Sequence, residues 1–208
     1  MNKRERILLE ARLWKIQKEN LDKDYFKNLT NRGKPSILWV ESFGNPAQAV
    51  DIANTEPDEI LVYRNHGGQC RTDDASFLAS LESFLESDSS RFIIVCGHSL
   101  CDTIQNVAAG KSPGVYGSRW TEDIQELYEQ YSMEMTALSA RQRERKLCEL
   151  NVRRQLDNLC AMDIVQRAWS NGSDLQLLGW YLDIHKGDIQ ELHTVCARDV
   201  QKEVTTRL

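Results

Sequence analysis

Short apolar runs and amphipathic segments alternate along most of the chain. The apolar runs are rich in β-branched and aromatic residues, as buried strands are, and they occupy residues 36–40, 59–63, 91–96 and 175–184. A turn, HKGD (185–188), follows the last run and predicts a hairpin with 189–193 as its second strand. Helical patterns fill the intervals at 46–54, 73–87 and 99–110, and a long helical region extends from 121 to 171. Ser99 is expected to begin the third of these helices and Gly110 to end it.

The order of these elements predicts an α/β fold. Strands that alternate with helices form a mainly parallel sheet, and the final hairpin adds an antiparallel edge strand. We expect about four parallel strands plus that edge strand, with flanking helices, over residues 35–193. Residues 1–34 are expected to form a helical arm, and residues 194–208 a polar tail. The first helix of the arm (3–19) is amphipathic. Mostly on one face lie Ile7, Leu8, Ala11, Trp14 and Ile16.

Composition and charge limit the classes of function. The chain has 208 residues, of which 41% are hydrophobic and 27% charged, and its net charge is −5. An acidic chain without a basic face is not expected to bind nucleic acid. No apolar stretch approaches the roughly 20 residues of a membrane span, and the N-terminus lacks the apolar core of a signal peptide. The six cysteines are scattered, which favours a reducing compartment and predicts a cytoplasmic location.

The carboxyl ends of the predicted parallel strands hold the candidate chemistry. Ligands of such sheets bind at this edge. Here the edge carries ESFGNP (41–46), RNHGGQC (64–70) and GHSLC (97–101). His98 and Cys101 in the third segment have the H-x-x-C spacing of half a zinc site. Zinc takes three protein ligands at a catalytic site and four at a structural one, so at least one more ligand is needed.

Four segments resemble the β-class carbonic anhydrases, in order and at family-like spacing. They are PDEILVYRN (57–65), VCGHSLC (95–101), NVRRQLDNL (151–159) and LLGWYLDIHKGDI (177–189). The resemblance covers residues from about 8 to 193. It implies a zinc ion held by two Cys and one His, with a metal-bound hydroxide that attacks carbon dioxide. In that family an Asp and an Arg of the motif C-x-D-x-R flank the metal.

The first strand departs from this family pattern. An alignment without gaps places Ser42 at the family's first zinc Cys, Gly44 at its Asp and Pro46 at its Arg. A slip of one residue would put Glu41 at the ligand position, but it would restore neither the Asp nor the Arg. A serine hydroxyl is a poor zinc ligand because it is not ionised near neutral pH. Arg64 and Asn65 match the family's R-N pair. The expected pocket residues are therefore Ser42, Gly44, Pro46, Arg64 and Asn65.

His98 and Cys101 match the family's other two zinc ligands and form an incomplete metal site. A third ligand could come from Cys70 or His66 in the loop after the second strand, or from Glu41. In the alternative interpretation Cys70 is a packed apolar residue, His66 lies at the surface, and His98 and Cys101 persist for packing. Cys101 near a helix start could also be a reactive thiol with a redox role.

Two functions from different classes follow. In the first, the protein keeps the carbonic anhydrase fold, has lost zinc-dependent hydration, needs no cofactor and acts as a binding or oligomer-partner protein. Its partners would be a small anion, a second copy joined through the N-terminal arm in a homodimer or higher homo-oligomer, or an active relative in a hetero-oligomer. In the second, it is a zinc lyase with a rebuilt third ligand. The activity expected of a carbonic anhydrase-like chain with this site is weak or absent.

Overall fold

The computed structural model describes residues 1–30, 33–56, 58–88, 90–111, 114 and 117–199. The chain forms two compact units, Met1–Lys34 and Pro35–Leu208. The first contains α1 (Lys3–Leu21) and α2 (Tyr25–Thr30). The strands of the second are β1 (Ile37–Ser42), β2 (Ile60–Asn65), β3 (Phe92–His98), β4 (Gln176–Asp183) and β5 (Asp188–Cys196). Its helices are α3 (Ala49–Ala53), α4 (Ala75–Leu85), α5 (Asp102–Ala108), α6 (Ser118–Gln130), α7 (Ser132–Thr136), α8 (Ala140–Ala161) and α9 (Asp163–Ser170).

The second unit is built on a five-stranded sheet with the order β2-β1-β3-β4-β5. The pairs β1–β2, β1–β3 and β3–β4 are parallel, and β5 runs antiparallel to β4 at one edge. The predicted fold class is therefore confirmed.

The hydrophobic core lies on both faces of the sheet, because successive side chains of a strand point to opposite faces. Leu38 and Val40 pack with residues of α4, α8 and α9. Trp39 packs on the opposite face with residues of α3 and β4.

Helix α8 crosses the sheet at close range over two glycines. A Cβ at Gly97 would lie 2.6 Å from Cys148 Sγ, and a Cβ at Gly179 would lie 2.9 Å from Val152 Cγ1. Real Cβ atoms do not approach other atoms this closely, so the contact between sheet and helix depends on glycine at both strands. This packing places the first turns of α8 beside the carboxyl end of β3.

The predicted ends of β1 and β3 and the predicted start of α5 are wrong. β1 and β3 continue through Ser42 and His98, because the parallel ladder extends beyond the apolar residues that mark each strand in the sequence. The helix predicted to begin at Ser99 begins at Asp102 instead, with Cys101 as its N-cap. Ser99 Oγ accepts a hydrogen bond from the Ile184 amide and so ties this turn to the end of β4.

Two longer segments also differ from their predicted extent. The region 121–171 is helical as predicted, with a break near residue 161, but it begins earlier, at Ser118, and residues 132–161 form two helices, α7 and α8, where one was predicted over 134–160. β5 continues to Cys196, so residues 194–196 pair with β4 although they were expected in the polar tail. Pairing with β4 overrides the weak apolar signal at the end of this strand.

The N-terminal unit is a helical pair with a small aromatic contact of its own. Asn2 caps α1 in a reciprocal capping box with Glu5. Trp14 packs edge-on against Phe26, with ring centroids 5.5 Å apart. No residue of α1 is buried, and Ile7 and Leu8 are half exposed or more. Within the described ranges, no helix is long and apolar enough to cross a membrane.

Candidate functional site

The imidazole of His98, the last residue of β3, is oriented by the residue that follows it. Nδ1 lies 2.7 Å from the carbonyl oxygen of Ser99. A carbonyl only accepts hydrogen bonds, so Nδ1 carries a proton. The other ring nitrogen, Nε2, is buried and has no hydrogen-bond partner among the described residues. Nε2 is therefore the atom of His98 that remains for a ligand or a second proton.

A tight turn brings Cys101 back to His98. Leu100 adopts a φ of 67°, a left-handed conformation that costs a residue with a side chain roughly 1–2 kcal/mol. Burial raises the pKa of the Cys101 thiol, but interactions with His98 and Ser42 outweigh burial and hold the pKa below its ordinary value. Burial lowers the pKa of His98, but interactions with Cys101 and the Ser99 carbonyl outweigh it and raise the pKa. Each of the two residues is thus among the causes of the other's pKa shift.

Ser42 is the third member of this cluster. It ends β1 next to Asn65 of β2, and 3% of its surface is exposed. Its Oγ is buried and has no hydrogen-bond partner within the described part of the chain, and its presence helps to lower the pKa of the Cys101 thiol. The structure thus brings Ser42, His98 and Cys101 together, although they are distant in sequence. All three residues are buried, and both His98 and Ser42 lower the pKa of the Cys101 thiol.

Glu41 lies one residue earlier and has a different role. Its side chain is fully buried, and both carboxylate oxygens are occupied by donors. Arg64 Nε donates to Oε1 at 2.7 Å, and Arg64 Nη2 lies 2.5 Å from the same oxygen. Trp39 Nε1 and Asn45 Nδ2 donate to Oε2 at 3.0 and 2.5 Å. Four donor groups satisfy this carboxylate, so it stabilises the strand end and is not available as a metal ligand.

The same network fixes the segment after β1. Asn45 Oδ1 accepts a hydrogen bond from the Ala47 amide at 3.1 Å, and Arg64 Nη2 lies 3.5 Å from the Ala47 carbonyl oxygen. Gly44 and Pro46 are exposed. Neither residue has a carboxylate or a guanidinium, the groups that the resemblance leads one to expect at these positions.

The remaining candidate residues lie in the loop after β2. Asn65 makes reciprocal hydrogen bonds with the backbone of Gln69, both 2.7 Å long, and so closes this loop. Cys70 is fully buried in the core, where burial raises the pKa of its thiol. Its amide donates to Gln155 of α8. His66 is exposed, and its ring centroid lies 4.5 Å from that of Phe43.

The candidate third ligands therefore do not complete a metal site with His98 and Cys101. Across the described residues, no three His, Cys, Asp or Glu side chains are close enough to hold a metal ion together. The cluster offers one imidazole, one thiol and one hydroxyl. This donor set does not fit zinc, which is bound by at least three Cys, His or carboxylate side chains in proteins.

A cavity of about 490 Å³ opens beside the cluster. His98 and Cys101 reach it from the turn after β3, and Arg141 and Arg145 reach it from the first turns of α8. The Arg145 guanidinium lies over the Tyr181 ring, 5.0 Å from its centroid. The expected pocket residues Ser42, Gly44, Pro46, Arg64 and Asn65 are not among the described residues that line this cavity. Their assignment to a pocket remains a prediction.

Sequence reasoning missed the side chains that surround Glu41 and the wall that α8 contributes to the cavity. Trp39 and Asn45 lie two residues before and four residues after Glu41. Strand alternation indicates that Trp39 and Glu41 share a face, and this signal could have been used. Nothing in the sequence indicates that Arg141 or Arg145, at least 40 residues after Cys101, lies beside the cluster.

Known carbonic anhydrases are similar to this chain in fold and, more distantly, in sequence. The sequence pattern of the carbonic anhydrase family matches residues 47–189, a range that begins just after Pro46. A carbonic anhydrase of Saccharomyces cerevisiae is 24% identical over 196 residues, which cover 90% of this chain and 88% of that protein. A tetrameric β-carbonic anhydrase of Sordaria macrospora superimposes with a TM-score of 0.87 at 21% identity, covering 94% of this chain and all of the other. The Coccomyxa β-carbonic anhydrase bound to acetazolamide superimposes with a TM-score of 0.81 at 28% identity, covering 91% of this chain and 86% of the other. The chain belongs to the β-class carbonic anhydrase family.

Proposed function

We propose that this chain has lost zinc-dependent hydration of carbon dioxide and acts as a non-catalytic binding or oligomer-partner protein. The observation that carries the proposal is the buried, unpartnered hydroxyl of Ser42, at the position where the resemblance aligns a zinc Cys of the family. A catalytic zinc needs three protein ligands and an open position for water. His98 and Cys101 supply two.

Charge supports the same conclusion. Two thiolates and a neutral imidazole balance the charge of Zn²⁺, whereas one thiolate leaves a positive charge in a buried site. The residues at 44 and 46 add a second deficit, because neither glycine nor proline has a side chain that can accept a hydrogen bond from a metal-bound water or orient a group that does. Both deficits oppose the reaction, one through metal affinity and the other through positioning.

Metal content and hydration rate together test this function. We expect close to zero zinc per chain after purification without added metal and extensive dialysis, and no hydration above the buffer rate in stopped-flow assays. The alternative, a zinc lyase with a rebuilt ligand, predicts zinc near one per chain and hydration that His98→Ala abolishes. That result would overturn the proposal.

The N-terminal unit supports a role in assembly. Ile7 and Leu8 expose 59% and 50% of their surfaces on a helix with no buried residue. A helix gains most of its stability by packing an apolar face. The Sordaria relative is tetrameric. We expect this helix to pack on a second copy of the chain, or on an active relative in a mixed oligomer.

Substitution of Ile7 tests the role of the arm. Ile7→Glu is expected to raise the dissociation constant of the homo-oligomer at least about tenfold, because losing a buried isoleucine removes roughly 1.5–3 kcal/mol. Sedimentation velocity over a concentration series measures the change. Arg12→Glu puts the same side chain at another exposed position of α1 and should have a much smaller effect. Equal dissociation constants for Ile7→Glu and the wild type would exclude this face from the interface.

A further inference from the structure

The cavity beside β3 has a local excess of positive charge. Three cations line it, Arg141 and Arg145 of α8 and Lys186 of the turn after β4, against two carboxylates, Asp183 and Glu144. The chain as a whole carries a net charge of −5. A concave surface of one sign of charge raises the local concentration of ligands of the opposite sign. This cavity is therefore expected to favour an anion.

Two of these cations are held only loosely. Arg141 Nη2 and Lys186 Nζ share Asp183 Oδ2 at 3.8 and 3.9 Å, which is beyond hydrogen-bond distance. Arg145 is held more tightly, because its Nε lies 2.7 Å from Glu149 Oε1. Charge-assisted hydrogen bonds to a carboxylate normally measure about 2.7–2.9 Å. A ligand carboxylate can thus form with Arg141 and Lys186 the short contacts that Asp183 does not form.

The same cavity also has an apolar lining. Leu100, Ile104 and Tyr181 contribute to it, and Leu100 exposes 44% of its surface. Leu100 has a φ of 67°, a conformation that glycine adopts at lower cost. Packing within the chain does not explain a leucine at this residue, because much of its side chain is in solvent. A hydrocarbon group that covers Leu100 removes this apolar surface from water and gains binding energy.

The volume of the cavity, about 490 Å³, lies in the range of small-molecule sites. We propose that it binds a small aliphatic carboxylate. The carboxylate pairs with Arg141 and Lys186, and the hydrocarbon chain lies against Leu100 and Ile104. None of these four residues belongs to the cluster beside Ser42, so the site needs no metal. The inference rests on the proposed function only in treating the chain as a binding protein, to which it gives a class of ligand.

The test is a calorimetric titration of the full-length protein with sodium hexanoate as the probe. We expect one saturable site per chain. Acetate keeps the carboxylate but lacks most of the hydrocarbon chain, and it should bind at least about tenfold more weakly. Hexan-1-ol keeps the chain but has no charge, and it should also bind at least about tenfold more weakly. Equal affinity for hexanoate and either of these analogues would overturn the proposal, as would no binding of hexanoate.

Substitutions test the two ends of the site separately. The double variant Arg141→Gln, Lys186→Gln should weaken hexanoate binding by at least about tenfold. Leu100→Gly should weaken hexanoate binding by at least about threefold and leave acetate binding unchanged. Glycine suits the left-handed backbone at residue 100, so this variant is expected to fold. The matched control is Arg153→Gln, which removes an exposed cation of α8 that is not among the described residues lining the cavity, and the affinity should not change.

An equal loss of affinity in Arg153→Gln and in the double variant would overturn the site. A second measurement, on the wild type, does not depend on the folding of any variant. In methyl NMR spectra, hexanoate should shift the signal of the Ile104 Cδ1 methyl group, and an unchanged signal would contradict the site. Zinc near one per chain with hydration of carbon dioxide contradicts the proposed function instead, whereas a zinc-free protein that does not bind hexanoate contradicts only this inference. The two failures are therefore distinguishable.

Discussion

Replacing Ser42 with cysteine is expected to raise the zinc content of the purified protein from near zero to about one ion per chain. The reason is geometric and electrostatic. Ser42 ends the strand that pairs with β3 and lowers the pKa of the Cys101 thiol, and neither Ser42 Oγ nor His98 Nε2 has a hydrogen-bond partner among the described residues. A sulfur at residue 42 supplies the third ligand and the second negative charge that Zn²⁺ lacks in this cluster.

Elemental analysis after growth with zinc and extensive dialysis measures this effect. Substitution by Co²⁺ gives an independent readout, because thiolate-to-cobalt charge-transfer bands report how many sulfurs bind. Ser42→Ala is the matched control, since it removes the hydroxyl without adding a ligand, and its zinc content should stay near that of the wild type. Zinc in Ser42→Cys no higher than in Ser42→Ala would show that the three side chains do not converge on one metal position.

Zinc binding by Ser42→Cys is not expected to restore hydration. Gly44 and Pro46 supply neither a carboxylate nor a guanidinium, and the Glu41 network holds the segment that contains them. A metal without these groups binds water but does not control its orientation. Zinc binding without activity in this variant would separate the effect of the missing ligand at residue 42 from that of the missing carboxylate and guanidinium at residues 44 and 46.

The fold was predictable because its signals are local and repeated. Four apolar runs separated by helical patterns permit few topologies other than a parallel sheet, and the HKGD turn marks the hairpin. The strand ends were less predictable. Ser42 and His98 are polar, yet they belong to strands because the hydrogen-bond ladder of their neighbours continues past the apolar residues. Cross-strand pairing is not visible in a single segment.

The site was predictable in part for a related reason. The spacing of His98 and Cys101 and the register of Ser42 can be read along the chain. The role of Glu41 depends on Arg64, 23 residues away, and on an indole two residues before it. From sequence alone, a glutamate at a strand end is equally consistent with a metal ligand and with an ion-pair partner, because its neighbours in space are unknown. Only the fold distinguishes these roles.

Loss of the Glu41 carboxylate is expected to destabilise the chain strongly. Glu41→Ala removes the acceptor for Trp39, Asn45 and Arg64, and leaves the first two with unpaired donors in the interior. Removing one partner of a buried ion pair typically costs about 3–5 kcal/mol. Glu41→Gln keeps the shape and one acceptor oxygen, so we expect a smaller loss of about 1–3 kcal/mol.

Urea denaturation at a fixed chain concentration measures the free energy of unfolding of each variant, because an oligomer gains stability with concentration. Glu82→Ala is the matched control: this glutamate is exposed on α4, and its removal should change the stability by no more than about 0.5 kcal/mol.

Arg64→Met, combined with Glu41→Gln in a double-mutant cycle, measures how strongly the two side chains depend on each other for stability. Because a buried carboxylate without its guanidinium is unfavourable, Arg64→Met alone should cost more than the same substitution in the Glu41→Gln background. Additive effects would mean that Glu41 and Arg64 stabilise the strand end independently, and the ion pair would then have no part in holding the segment that follows β1.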